Sequence, residues 1–97
     1  LPLCIRALVE PGHLTWPQLI AKLTTGPARV LGLPESGTLA SGAPADVTVI
    51  DPEARWTIDP KRFASRSRNT PFAGWQVRGW ADRVYVGGAL RYRRPVA

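Results

Sequence analysis

The stretch VYVGGALRY, residues 84–92, predicts how the second half of the chain folds. Two apolar and aromatic runs flank the pair Gly87-Gly88, and a two-residue loop between antiparallel strands requires positive φ at both positions. Glycine adopts such φ values at little steric cost. We therefore predict a β-hairpin with one strand over residues 77–86 and the other over residues 89–92.

Upstream of the hairpin, short apolar runs at residues 38–39, 47–50 and 56–58 are separated by glycine, proline and aspartate. This pattern is typical of strands joined by turns, so we predict that this half of the chain is mainly β. Between the last run and the hairpin, Asp59 followed by Pro60 predicts a single helical turn with Asp59 as its cap.

The segment SRNTPFAG, residues 67–74, predicts a loop held in one conformation. Asn69 can hydrogen-bond the backbone of its own loop, Pro71 fixes φ, and Gly74 permits a turn back toward the sheet. Phe72 is predicted to anchor this loop in a core. Three tryptophans add large apolar area and are predicted to lie in the core or in contact with a neighbouring domain: Trp56, Trp75 and Trp80.

The N-terminal third of the chain predicts helices. Residues 3–10 are typical of the last turns of a helix, which Pro11-Gly12 stops. Thr15 begins the next helix as its N-cap, and Gln18 three residues later completes a capping box. A third short helix is predicted over residues 26–32.

The second helix carries an apolar stripe formed by Leu19, Ile20 and Leu23, which needs more covering surface than short helices supply. The chain has 97 residues and no methionine, so we expect it to be part of a longer protein. A chain of this size buries only a modest fraction of its surface. A larger neighbouring domain is therefore expected to cover the stripe.

The composition argues against several classes of protein. Hydrophobic residues make up 44% of the chain and charged residues 21%, as in ordinary globular proteins. No apolar run reaches the length of about 20 residues that a membrane span needs, so we predict no membrane association. Cys4 is the single cysteine, which excludes an internal disulfide and fits a reducing compartment. We expect Cys4 to be a small buried apolar residue.

The sequence contains no recognisable catalytic or ligand-binding constellation. His13 is the single histidine and lies in a turn, whereas a catalytic zinc site needs about three protein ligands. Neither Ser65 nor Ser67 lies in a nucleophile elbow that would support a Ser-His-Asp triad. Four aspartates are expected to accept hydrogen bonds at strand edges and turns: Asp46, Asp51, Asp59 and Asp82. We assign no catalytic, cofactor-binding or metal-ligating residue to this chain.

Positive charge is concentrated in the second half of the chain. Residues 60–97 hold nine lysines and arginines against one acid, whereas residues 1–59 hold four against six. A basic β module that binds RNA or DNA stays open as an alternative, served by Arg62, Arg66, Arg68, Arg78, Arg91, Arg93 and Arg94 with Trp75 and Tyr85. Because no nucleic-acid-binding motif accompanies this charge, we expect docking of a protein partner and no nucleic acid.

Several of these motifs together resemble one enzyme family. SRNTPFAG at residues 67–74 resembles the C-terminal signature of dihydroorotases, and the resemblance runs from Leu1 to Tyr92. Upstream, PARVLGL at residues 27–33 and ADVTVID at residues 45–51 resemble the passage that closes many barrels of the amidohydrolase superfamily.

The resemblance implies both a fold and an activity. The fold would be α+β, with the last helices of a TIM-like (β/α) barrel over residues 1–34 and the C-terminal half of a small composite β-sandwich over residues 35–97. The parent enzyme would be a cytoplasmic zinc hydrolase that catalyses the reversible cyclisation of N-carbamoyl-L-aspartate to L-dihydroorotate in pyrimidine biosynthesis. Its metal ligands and catalytic residues would precede Leu1, so the resemblance implies that this segment is structural and inactive by itself.

Alternatives stay open within the resemblance. The parent could be a homodimer, or a catalytically silent homologue that supports aspartate transcarbamoylase. Dihydropyrimidinases and allantoinases share the region of residues 42–51, whereas residues 69–72 favour dihydroorotase. Gly26 and Pro44 depart from the pattern of the family, although both suit the helix start and the turn in which they are predicted to lie.

Overall fold

The computed structural model describes residues 1–95. In chain order its elements are α1 (Pro2–Cys4), a π-helical segment (Ile5–Val9), α2 (Trp16–Leu23), α3 (Thr25–Val30), β1 (Val47–Thr57), a 3-10 turn (Pro60–Arg62), β2 (Gln76–Val86) and β3 (Ala89–Arg93). Within these residues the strands form an antiparallel sheet in the order β1-β2-β3. The predicted α+β class is confirmed. Among the described residues, no helix has the length and hydropathy of a membrane span.

The capping box predicted at the start of α2 is present. The Gln18 N–H donates to Thr15 Oγ1 at 3.3 Å, and the Thr15 N–H donates to Gln18 Oε1 at 2.9 Å. These bonds satisfy two backbone N–H groups that lack partners inside the helix. The preceding helical segment ends as predicted, in a turn where Gly12 has a φ of 85°.

The third predicted helix, α3, begins one residue before the predicted start, and its last helical residue is Val30, two residues before the predicted end at Gly32. Its first turn already includes Thr25, because the Ala28 N–H donates to the Thr24 carbonyl at 3.0 Å. At the other end the Leu33 N–H donates to the Ala28 carbonyl at 2.9 Å, and Gly32 has a φ of 69°. A left-handed glycine after the last turn is a common way for a helix to end.

The β-hairpin is confirmed at its predicted position. Gly87 and Gly88 have φ values of 57° and 82°, as the two-residue turn requires. β2 and β3 pair outward from Val86 opposite Ala89. The Gly87 N–H donates to Asp46 Oδ1 at 2.8 Å, which ties this turn to the residue before β1.

β1 is a single strand where the sequence predicted two, over residues 47–50 and 56–58. Its pairing with β2 is interrupted after Asp51 and then resumes. Pro52 has no N–H for the ladder, and the Glu53 N–H donates to Asp51 Oδ1 at 3.0 Å, so the strand is locally irregular there. The predicted division was wrong because β2 is long enough to pair with the strand on both sides of this irregularity.

The strand predicted at residues 38–39 is not formed; this part of the prediction was wrong. The Ala40 N–H donates to Thr38 Oγ1 at 3.1 Å, and Leu39 is 81% exposed. A threonine hydroxyl that bonds the backbone two residues on offers the chain an alternative to a sheet ladder. A local turn therefore takes the place of strand pairing.

The apolar core of the described residues is small. Its buried apolar side chains are Ile5, Leu19, Ala28, Ile58 and Val77. The accessible surface is 7270 Å², whereas a compact monomer of this mass exposes about 5,500 Å². Part of the excess is apolar surface on the helical side, contributed by Leu23, Val30, Leu31, Leu33 and Leu39. The stripe of α2 is thus only partly covered, since Leu19 is buried and Leu23 is exposed.

The first helical segment meets the sheet where Ile5 contacts Gly79. Ile5 is buried, and Gly79 is a buried residue of β2 with a φ of 99°. A Cβ at position 79 would overlap Ile5 Cδ1. This position therefore needs glycine both for its backbone conformation and for the close approach of the helix.

Gly79→Ala is expected to destabilise the protein by about 1–3 kcal/mol through backbone strain, and by more through overlap with Ile5. Gly74→Ala is the matched control, because Gly74 also has a positive φ, 82°, but its Cβ would meet nothing within 4 Å. Thermal unfolding should give a lower midpoint for Gly79→Ala than for Gly74→Ala. Equal midpoints would contradict a role for the Ile5 contact.

Candidate functional site

The loop that carries the family signature, residues 65–74 and called the signature loop below, is held by an arginine. Arg68 Nη1 donates to the Phe63 carbonyl at 2.7 Å and also to the Ser65 carbonyl. The Ser67 N–H donates to Ser65 Oγ at 3.1 Å. Hydrogen bonds within the loop are present, but the sequence analysis expected one from Asn69 to the loop backbone and gave Arg68 no role. The backbone N–H of Asn69 donates to Ser67 Oγ at 3.4 Å.

The signature loop returns to the sheet at Gly74, as predicted. Gly74 has a φ of 82°, its N–H donates to the Ile58 carbonyl at 2.8 Å, and the Ile58 N–H donates to the Trp75 carbonyl at 2.9 Å. Phe72 is half-buried and packs edge-to-face on Trp75 with ring centroids 5.1 Å apart. The loop is thus anchored on the end of β1.

Trp75 itself lies at the surface rather than in the core, with 41% of it exposed. The Arg6 guanidinium lies 4.8 Å from the centroid of its ring, a cation–π distance. Trp75 therefore connects the signature loop to the first helical segment.

Trp56 and Trp80 form an aromatic pair on the sheet. Their ring centroids are 4.5 Å apart with the planes tilted by 35°. Trp56 Nε1 donates to the Gly79 carbonyl at 2.9 Å, and Trp80 Nε1 donates to Tyr92 Oη at 3.1 Å. Both rings are half-buried, and both indole N–H groups have partners, as large aromatic residues in a packed site require.

An open groove with a volume of about 1080 Å³ lies beside this pair. Its walls are the end of β1, the 3-10 turn, part of β2 and the residues at and after the end of β3. Its charged side chains are Arg55, Arg62, Arg83, Arg93, Arg94, Asp59 and Asp82. The groove is therefore lined mainly by positive charge; we call it the basic groove.

A small ion network holds one end of the basic groove. Arg94 Nη1 lies 3.4 Å from Asp51 Oδ2, and Arg94 Nε lies 3.5 Å from Asp82 Oδ1. Arg83 Nε lies 3.3 Å from Asp82 Oδ2. Asp82 sits at a register shift in β2 and pairs with arginines, whereas the sequence predicted that it would accept backbone hydrogen bonds.

The remaining polar residues considered from the sequence lie apart from one another. Asp59 accepts from the Lys61 N–H at 3.0 Å and begins the 3-10 turn, as predicted. His13 is exposed in the turn before α2, and Cys4 is half-buried rather than buried. Within residues 1–95 no three His, Cys, Asp or Glu side chains lie close enough together to hold a metal ion. The chemistry that this region offers is positive charge beside apolar surface.

Comparison with models of protein families shows which family the chain belongs to. The model of the amidohydrolase family matches residues 7–92. Because this match spans most of the sequence, the chain belongs to the amidohydrolase family.

Curated relatives within this family include the dihydroorotase of Syntrophotalea carbinolica, which is 55% identical over 96% of this chain and 21% of its own length. The dihydroorotase of Geobacter metallireducens is 51% identical over 90% of this chain and 20% of its own length. The chain thus spans about a fifth of the length of the curated relatives that it matches.

Solved structures agree in fold. Dihydropyrimidinase from Brevibacillus agri superposes with a TM-score of 0.86 at 29% identity, over 95% of this chain and 20% of that chain. D-hydantoinase (dihydropyrimidinase) from Thermus sp. gives a TM-score of 0.85 at 31% identity, over the same shares of the two chains.

Sequence reasoning missed the role of Arg68 in the signature loop. No local signal separates Arg68 from Arg66, because both alternate with serine in the same stretch. Only the path of the backbone shows which guanidinium reaches the carbonyls of Phe63 and Ser65.

Arg68→Lys is expected to loosen the signature loop, because a lysine ammonium does not reproduce the planar fork of donors. Loss of a hydrogen bond from a charged group should speed amide hydrogen exchange in residues 65–70 by about tenfold or more. Arg66→Lys is the matched control and should leave exchange unchanged. The proposed role of Arg68 fails if both substitutions, or neither, speed the exchange.

Proposed function

We propose that this chain is the C-terminal part of a dihydroorotase, and that the complete protein catalyses the reversible cyclisation of N-carbamoyl-L-aspartate to L-dihydroorotate in the cytoplasm. The observation that carries this proposal is the identity of 55% and 51% to curated dihydroorotases over nearly the whole chain. Identity to the solved dihydropyrimidinases is lower, 29% and 31%, which favours dihydroorotase over its relatives.

The role of this chain in the complete enzyme would be structural. Residues 1–34 would form the last helices of a TIM-like barrel, and residues 35–97 would form half of a small β-sandwich. The exposed large apolar side chains on and after α2 and α3 support this division, because a neighbouring domain would remove them from water. The large accessible surface for the mass of the chain agrees with it.

The zinc ion of such an enzyme finds no ligand set among the described residues of this chain. Its ligands would therefore lie elsewhere in the complete protein. We expect the upstream coding sequence to contain a His-x-His motif at the end of an early strand, since histidines supply catalytic zinc sites.

The test is expression of the complete protein and measurement of dihydroorotate formed from N-carbamoyl-L-aspartate. A turnover of about 1–10³ s⁻¹ is expected. A chelator should abolish it, and added zinc should restore it. Intact mass and metal content are measured on the same sample.

The solved neighbours favour one second candidate, a hydrolase of the dihydropyrimidinase type, because they share the fold at TM-scores of 0.86 and 0.85. Dihydrouracil and hydantoin serve as competing substrates in the same assay. Hydrolysis of either one without dihydroorotate formation would overturn the proposal in favour of this candidate. Inactivity on all substrates after zinc is added would indicate a catalytically silent homologue.

A further inference from the structure

The basic groove carries more positive charge than the fold itself uses. Five arginines and two aspartates line it. The ion network accounts for Arg94 and Arg83. Among residues 1–95 no acidic side chain forms an ion pair with the other three arginines of the groove, which are Arg55, Arg62 and Arg93.

Like charges also face each other across the strands at the groove. Arg83 lies opposite Arg93 in the β2–β3 ladder, and Arg55 lies opposite Arg78 in the β1–β2 ladder. Directly opposed like charges destabilise a sheet. The buried Nε of Arg83 lies near Asp82 but makes no hydrogen bond within residues 1–95. An additional anion in the groove would relieve this repulsion.

The aromatic pair gives the same groove an apolar surface. Trp56 and Trp80 stack on each other, and both indole N–H groups already donate within the chain. Arg94 lies 5.9 Å from the ring centroid of Trp80. A ligand in the groove therefore contacts apolar ring surface bordered by arginines. The two indole N–H groups already have acceptors within the chain, so the ligand does not have to supply any.

We propose that the basic groove binds an extended acidic segment of a partner protein. Carboxylates of this segment pair with Arg55, Arg62 and Arg93, since guanidinium groups bind carboxylates through two parallel hydrogen bonds. Its apolar side chains contact Trp56 and Trp80. The groove is open rather than enclosed, which suits an extended polypeptide.

Nucleic acid fits this groove less well. Arg68 is bonded to carbonyls of its own loop, and Trp75 packs against Phe72 beneath the guanidinium of Arg6. Single-stranded nucleic acid binds by stacking its bases on aromatic faces. Trp56 and Trp80 each use one face against the other ring, and Arg94 lies 5.9 Å from the ring centroid of Trp80.

The test is fluorescence anisotropy with the complete protein and a labelled peptide of alternating glutamate and leucine. A length of about ten residues spans about 33 Å when extended. At an ionic strength of about 10 mM, where the Debye length is about 30 Å, we expect saturable binding that weakens steeply as salt is added.

Arg62→Glu combined with Arg93→Glu should weaken peptide binding by at least about tenfold, because charge-assisted hydrogen bonds are lost. Lys22→Glu combined with Arg29→Glu is the matched control, with the same change in charge at exposed positions of α2 and α3. It should leave the affinity within about twofold, since screened charges away from the site contribute little. Arg62→Gln combined with Arg93→Gln removes the two positive charges without adding negative ones. This second variant should also weaken peptide binding, and it keeps the test valid if the glutamate variant misfolds.

Three results would each overturn this inference: no saturable binding at low salt, equal weakening by the control pair, or displacement of the peptide by a lower concentration of an equally charged single-stranded oligonucleotide. The binding measurement needs no catalysis. An inactive protein that binds the peptide would refute only the proposed function. An active protein that does not bind the peptide would refute only the proposed binding by the basic groove.

Discussion

The close approach of Ile5 to Gly79 is the contact on which the arrangement of the described residues depends. It places the first helical segment against the middle of β2, at a position where no other amino acid fits both the φ of 99° and the space. The Gly79 carbonyl also accepts the indole N–H of Trp56, so the same residue fixes the aromatic pair on the sheet. Helix, sheet and aromatic pair thus meet at one glycine.

The exposed apolar surface supports the proposal that this chain is part of a larger enzyme. Few side chains are buried, and leucines on and after α2 and α3 are exposed. Membership of the amidohydrolase family, with relatives about five times longer, gives this surface a partner in the proposed dihydroorotase: the remainder of the enzyme. In this proposal the signature loop has a structural role: Phe72 packs on Trp75, and Arg68 donates a hydrogen bond to the Phe63 carbonyl.

Arginine serves different purposes in different parts of the chain. Arg68 satisfies backbone carbonyls, Arg94 joins two aspartates, and Arg6 reaches over from the helical side to cover Trp75. In each of these places the guanidinium group has a partner within the chain, which the sequence alone does not show. Among residues 1–95, three arginines of the basic groove have no ion-pair partner: Arg55, Arg62 and Arg93.

The sequence by itself determined the features set by neighbours a few residues apart. The capping box of α2, the cap of the 3-10 turn and the glycine turn of the hairpin depend on local backbone geometry, and all formed where predicted. The motifs that indicate the amidohydrolase family are also local. Only the tertiary structure decided that β1 continues past Pro52, that residues 38–39 form a turn, and that Arg68 rather than Asn69 holds its loop. It also decided that Arg83 faces Arg93. These outcomes depend on which distant strand or carbonyl lies nearby, and that follows from the path of the whole chain rather than from the identity of adjacent residues.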